Sequence, residues 1–412
     1  MTKTLIVFAL LLSYLFIGQN RKEYLIQNRY NLLDTNFTFP QTKFKIIGFG
    51  AYHGSSQTEK AEIILIKDLL NQGSIKYYLP ETDFSTAKYF NKFLKTGDTI
   101  LLKDLVIQYG TRVPQEQTIE VFVKWKHLKE LNDQLSENKR IIVVGTDKIL
   151  NFKYTAINIL ELLKDSRENI FIKKLSNTIT NNYTSNLDAE VKKHLISLAT
   201  DFKKNPTFYN FNSKDSIELN HIIRNIFTAN DPKSSREKII FENYISLSKI
   251  YDFQINPQFV RMGFFHLEKS REGKNNQPSF FTQLKENNIY SESEIISVLG
   301  FLTKSRVLWT AHYDRGIYVG YATEGGYGIG DYWKEYFKGI SFLKKTSVSN
   351  LTLFKLNSKE SPYNKKPDLI KVNMFLKKSN RNDVRYMNTL DFMDYALLIS
   401  NSKASMPIFE KK

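Results

Sequence analysis

Phe44-Lys45-Ile46-Ile47-Gly48-Phe49, running into Gly50-Ala51-Tyr52-His53-Gly54, is the stretch from which the fold is read. A short apolar run rich in β-branched and aromatic residues, closed by glycine, has the character of a buried strand. The next segment changes period. Ala61, Ile64, Leu65 and Leu69 fall at helical spacing within Thr58 to Leu70. Strand then helix is the unit of an α/β sheet, and it recurs along the chain.

Working outward, Ile75–Leu79, Ile141–Val144 and Phe259–Phe265 read as further strands. Val307–Trp309, Leu351–Leu356 and Tyr395–Ile399 read the same way. Helices are expected over Phe84 to Leu94, behind the N-cap residue Asp83, and over Glu120 to Leu135. Ser234-x-x-Glu237 has the form of a capping box and should open a helix reaching about Tyr251. Leu187 to Phe202 and Ile217 to Phe227 are amphipathic and look like part of a helical insertion at about 151–255. The expected fold is α/β: a parallel or mixed central sheet flanked by helices. No Pro/Gly/Ser-rich linker divides residues 19–412, which are read as one domain.

The first 18 residues read as a signal peptide: Lys3, then the apolar run Leu5 to Phe16, then Gly18 before Gln19. That run is short for a membrane span, and the alternative is an uncleaved anchor. The chain is therefore expected to be exported, periplasmic or secreted, with no stable membrane span after cleavage. It has no cysteine, which rules out disulfides, thiolate metal sites and a thiol nucleophile. Its 412 residues are 42% hydrophobic, enough for a core without cross-links. A formal charge of +17 is spread along the chain without a run of five basic residues. With no zinc-finger or RNP-like signature, the reading is a solvated basic surface and no nucleic-acid partner.

Six histidines are present. His127, His194 and His221 fall within predicted helices and read as surface or half-buried residues. His53, His266 and His312 each follow closely on a strand run. Glu81, with Asp83 two residues on, lies just past the second strand and Asp147 just past the third. Strand ends are where α/β sheets present side chains to ligands. Imidazoles and carboxylates gathered there suit general acid–base chemistry. Two histidines and two carboxylates are also a possible metal set, although no HxH or HxxxH spacing organises one and no cofactor is expected. G-x-S-x-G and Walker A motifs are absent. Gly325 to Gly330 reads as a flexible glycine-dense loop near the cleft, with Tyr321, Tyr327, Tyr332 and Trp333 beside it.

Taken in order, these segments resemble the erythromycin esterase family, related in fold to ChaN-like and Tiki-like proteins. Phe49-Gly50-Ala51-Tyr52-His53-Gly54 resembles its first motif, Gly-Glu-Ala-Thr-His-Gly. Leu79-Pro80-Glu81-Thr82-Asp83-Phe84 resembles the second, with Asn91 and Gly97-Asp98 following. Trp125 to Asn132, Gly145-Thr146-Asp147, Arg236 to Asn243, Phe264 to Lys269 and Met393 to Leu398 are similar to later ones. The resemblance implies that His53 is the base that activates water without a metal. It also implies that Glu81 orients that base or contacts substrate, and that His266 polarises the carbonyl or helps stabilise the oxyanion. Asp147, Arg236, Glu242, Asn243 and Lys269 would contact or brace the substrate. The partner implied is a small-molecule ester or lactone. Where the family carries glutamate, this chain has Gly50, and where it has a second histidine, this chain has Lys269. Gln57 and Glu62 depart likewise. Two further readings stay open: a catalytically degenerate ligand-binding or envelope protein, and a metal-dependent Tiki-like hydrolase.

Overall fold

A computed structural model describes residues 21–41, 43–180, 187–325 and 330–410. The signal-peptide reading of residues 1–18 lies outside the described residues. So does most of the glycine-dense loop. The chain packs as two compact units. The first comprises the described residues within 1–74, 118–120 and 259–412; the second comprises those within 75–117 and 121–258.

Most strands of the first unit lie in one mixed sheet. They are β1 (Arg29–Asn31), β2 (Ile46–Gly50), β5 (Gln258–Met262), β6 (Ile295–Thr303), β11 (Leu351–Lys355) and β13 (Tyr395–Ser400), ordered β1-β11-β13-β6-β2-β5. Parallel pairs join β2 to β6 and β6 to β13, while β11 runs antiparallel to both β13 and β1. β2, β5 and β6 are buried along their whole length, as expected of strands covered on both faces. Helix α1 (Ser56–Asn71) follows β2 and buries Thr58, Glu59, Ala61, Glu62, Leu65, Ile66 and Leu69. The inward stripe therefore includes two glutamates.

The second unit holds the parallel pair β3 (Tyr77–Pro80) and β4 (Ile142–Val143). Around them lie α2 (Phe84–Thr96), α3 (Thr99–Tyr109) and α4 (Ile119–Asp133, in this unit from Val121). The expected helical segment follows as α5 (Lys153–Leu162), α6 (Ile170–Thr180), α7 (Asp188–Lys204), α8 (Ser216–Asn230) and α9 (Arg236–Tyr251). It has an apolar core of its own, including Ile159, Leu175, Leu195, Leu198 and Ile226. Asp83 caps α2 by accepting from the Thr86 amide at 3.0 Å. Helix α9 starts one residue later than its sequence pattern implies: Ser235, not Ser234, accepts from the Lys238 amide.

Two asparagines hold β4. The Asn91 side chain accepts from the Val143 amide at 2.8 Å and donates to the Val143 carbonyl at 2.7 Å. Asn132 does the same for Ile141, at 2.8 and 3.1 Å. Two carboxamides thus satisfy alternate peptide groups as a neighbouring strand would. Asn91→Ala leaves the buried Val143 groups without these partners. It should cost about 1–3 kcal/mol in denaturant unfolding.

Three sequence expectations change. β6 is nine residues long and fully buried, yet it has no counterpart among the predicted strands. Val307–Trp309 extends to Asp314 as β7 and pairs with β8 (Ile317–Glu324) in a two-stranded hairpin. His312 lies within that strand and is exposed, so it is not presented from a strand end. His221 is 4% exposed rather than half-buried. Among the described residues no helix is long and apolar enough to cross a membrane.

Candidate functional site

In the first unit, β2 and β5 are neighbours, and each leads into a loop carrying a histidine. After β2 the chain passes through Gly50 and Ala51 to Tyr52 and His53. Gly54 then turns with φ +77°, a backbone that a side chain would strain. The Gly54 carbonyl accepts from the Leu308 amide at 2.8 Å and from the Ser405 amide at 2.9 Å, which fixes the loop's far side. After β5, Gly263 leads into a 3₁₀ turn, Phe264–Leu267, that carries His266.

Both imidazoles flank Gly263. A Cβ placed on that glycine would stand 3.6 Å from His53 Nε2 and 3.9 Å from His266 Nε2. Both rings are partly exposed. Two imidazole nitrogens beside one small volume can share a water or the carbonyl of a ligand.

A single arginine ties the two loops together. Arg261, 3% exposed, donates from Nη1 to the Ala51 carbonyl at 3.3 Å and to the Met262 carbonyl at 2.6 Å. These carbonyls precede the Tyr52–His53 pair and Gly263. The guanidinium lies over the Phe49 ring at 5.4 Å, and its Nε stands 3.4 Å from the wholly buried Glu62 carboxylate. In sequence, Glu62 marks only a departure from the resembled motif, and no motif marks Arg261. The available signal was a pair of acids on the apolar face of α1 and one arginine inside an apolar strand.

Gly50 has a packing reason. A Cβ there would meet the Phe264 backbone at 3.2 Å and Leu299 Cδ2 at 3.0 Å. A glutamate at this position would displace the turn bearing His266. Even Gly50→Ala should destabilise by about 1–3 kcal/mol through overpacking, read as a lower denaturation midpoint.

The second unit gathers Glu81, Asp147 and Arg236. Gly145 makes this possible, because a Cβ on it would collide with the Asp83 carbonyl at 2.1 Å. The Asp147 amide donates to the Thr82 carbonyl at 3.0 Å, so the loops after β3 and β4 are laced together. Arg236 grips Asp147 with Nε at 3.0 Å and Nη2 at 2.5 Å, and reaches Glu81 Oε1 with the same Nη2 at 2.5 Å. Arg112, whose side chain is 4% exposed, stands 2.8 Å from Asp147 and donates to the Lys148 carbonyl. Burial alone pushes the Asp147 carboxyl up, but Arg112 and Arg236 outweigh it and hold it below the usual carboxylate range. Asp83 is pushed up by burial, against the hydrogen bonds from Thr86. Arg112 was not foreseen; it lies in a loop past α3 with no motif to mark it.

Arg236 and Asn243 share a face of α9, as their spacing predicts. Asn243 donates to the Thr146 carbonyl at 3.0 Å and accepts from Arg224 at 3.3 Å. Arg224 also donates to His221 Nδ1 at 3.3 Å. Burial, aided by Arg224, pushes that imidazole down to about 3, so it stays neutral. Glu242 falls off this face; it is exposed and stands 3.7 Å from Lys238. Lys269 is buried. Its side chain is 1% exposed, and its ammonium lies 2.8 Å from Asp394 and 3.1 Å from Glu292. Burial lowers its pKa, but the two carboxylates more than compensate and raise it. Among the described residues no group of three or more histidine or acidic side chains is arranged to hold a metal.

No family model and no curated protein matches this chain in sequence. Solved structures do match it in fold. A Bacillus cereus protein superposes with a TM-score of 0.61 at 12% identity, covering 95% of this chain and 99% of that one. A succinoglycan biosynthesis protein gives 0.59 at 15% identity, with the same coverage. A mutant of the erythromycin esterase EreC in its open conformation gives 0.55 at 11% identity, covering 89% of this chain and 93% of that one. The architecture is therefore α/β and erythromycin esterase-like. At such identities the likeness concerns the fold alone.

Proposed function

We propose that this chain is an exported hydrolase that cleaves an ester or lactone by histidine-activated water. One observation carries the reading: His53 Nε2 and His266 Nε2 lie 3.6 and 3.9 Å from one point beside Gly263. In the proposed reaction the water oxygen attacks the carbonyl carbon while His53 Nε2 takes its proton. An N–H of His266 hydrogen-bonds the oxygen on which negative charge develops. The carbon–oxygen bond to the leaving group then breaks. The leaving alkoxide takes the proton back from His53, giving a carboxylic acid and an alcohol. No metal enters the scheme.

In the second unit the Arg236 side chain is 33% exposed while Glu81 and Asp147 are 4% and 0% exposed. The two carboxylates hold that guanidinium, and Asn243 braces the loop through Thr146. The test is hydrolysis of an ester and lactone panel by the wild type and by His53→Ala, each checked for folding by thermal melting. Turnover should fall at least a hundredfold in the variant, the size of a lost general base. Equal turnover by both proteins would end the mechanism.

A second reading is a ligand-binding protein without catalysis. It is favoured by one specific feature: the acids after β3 and β4 are engaged by guanidinium groups, and position 50 has no room for a carboxylate. Inactivity across the whole panel, together with a raised melting temperature on adding an ester, would select it.

A further inference from the structure

The Tyr52 side chain lines a cavity of about 260 Å³ in the first unit. Phe264, Phe301 and Phe337 form an interlocked aromatic wall. Phe264 and Phe337 stack at 5.6 Å, and Phe301 meets them edge-on at 5.4 and 5.0 Å. Tyr336 and Glu335 also line it, and Glu335 is the one carboxylate among the described lining residues. Burial raises the Tyr52 phenol, and the nearby Glu324 and Glu335 charges add to this. The cavity is contiguous in sequence with both histidines: Tyr52 precedes His53, and Phe264 and Phe265 precede His266.

We propose that this cavity is the subsite for an apolar ring of the hydrolysed ester, one or two fused six-membered rings without negative charge. The assignment rests on the hydrolase reading for the word ester, and on the cavity itself for the ring. An apolar cavity of about 150 Å³ is enough for benzene, so about 260 Å³ admits a second ring. A wall of packed aromatic faces favours flat or ring-shaped groups by offset stacking and edge contacts. A flexible chain gains less from such a wall and loses more rotamer freedom on entering it. Among the described lining residues there is no basic side chain, so an anionic group would lose its hydration there without a counter-charge.

Binding and turnover test the two readings separately. 2-Naphthol, 2-naphthoate and 1-octanol are titrated against the full chain and against its His53→Ala variant by ligand-observed NMR. 2-Naphthol should bind both proteins equally, and at least tenfold more tightly than the other two probes. Val372→Trp fills the cavity and should weaken 2-naphthol at least tenfold. Tyr336→Ala, at a half-exposed position and so tolerant of truncation, should weaken it severalfold. 2-Naphthoate or octanol binding as tightly as 2-naphthol, or 2-naphthol binding untouched by both variants, would overturn the subsite. Turnover is then compared on 2-naphthyl acetate and octyl acetate. Preference for the naphthyl ester supports the subsite, and equal turnover of the two esters overturns it while leaving the hydrolase reading intact. Ring binding with no turnover of either ester overturns the hydrolase reading while leaving the subsite.

Discussion

Replacing Arg261 by methionine should abolish turnover and destabilise the protein together. Arg261 is 3% exposed and touches three things at once: the Glu62 carboxylate and the carbonyls of Ala51 and Met262. Taking the guanidinium away from a wholly buried carboxylate should cost on the order of 3 kcal/mol. The catalytic loss has a different origin. The Ala51 and Met262 carbonyls fix where the His53 and His266 loops leave the sheet. A displacement of about 1 Å of either imidazole is enough for roughly a hundredfold loss in turnover. The double variant Arg261→Met with Glu62→Met separates the two effects. An apolar pair of similar volume should recover most of the stability. It should not recover kcat, because neither methionine can donate to the two carbonyls. A double variant with wild-type kcat would show that Arg261 acts only in packing.

The second large effect is expected at Asp147. Asp147→Asn leaves Arg112, whose side chain is 4% exposed, beside a neutral amide. Losing one partner of a buried ion pair should cost about 3–5 kcal/mol at pH 7. The pH dependence follows from the direction of the shift. The folded carboxyl sits below its unfolded value of about 3.9, because Arg112 and Arg236 overcome its burial. The stabilisation is therefore complete above about pH 4 and fades as pH falls through the lower, folded value. Wild type and Asp147→Asn should differ most near neutrality and converge in acid, where Asp147 is itself protonated. A gap as wide at pH 3 as at pH 7, measured by urea unfolding, would contradict the ion-pair account.

Much of the scaffold is legible in the sequence because its strands are short apolar runs closed by glycine or proline. The runs ending near His53, Glu81, Asp147 and His266 all become strands, and their chemistry-bearing residues follow them. β6 escapes this reading for a physical reason. Its nine buried residues include Ser297 and Gly300, and it feeds a hairpin rather than a helix, so the strand–helix rhythm does not point to it. β7 is underestimated because Thr310, His312 and Asp314 are polar, as an exposed hairpin allows and a buried strand does not.

At the candidate site, residue types are readable and their partners are not. Glu81 and Arg236 are 155 residues apart, and Asp147 and Arg236 are 89 apart. No local pattern joins them. Lys269 looks available in sequence because it follows His266 closely. In the fold, the 3₁₀ turn directs the chain inward, and Lys269 meets Asp394 on a distant strand end. Gly50 reads as a missing acid in sequence. In three dimensions it is the space that admits the Phe264 backbone.

The central claim is that His53 and His266 act as one unit on one substrate group. A double-mutant cycle in kcat/KM measures this directly, using His53→Ala, His266→Ala and the double variant on the best ester found. Residues acting as a unit are strongly non-additive. The double variant should therefore lose about as much as the worse single variant. Losses that simply add, or a His266→Ala variant with wild-type turnover, would contradict the claim.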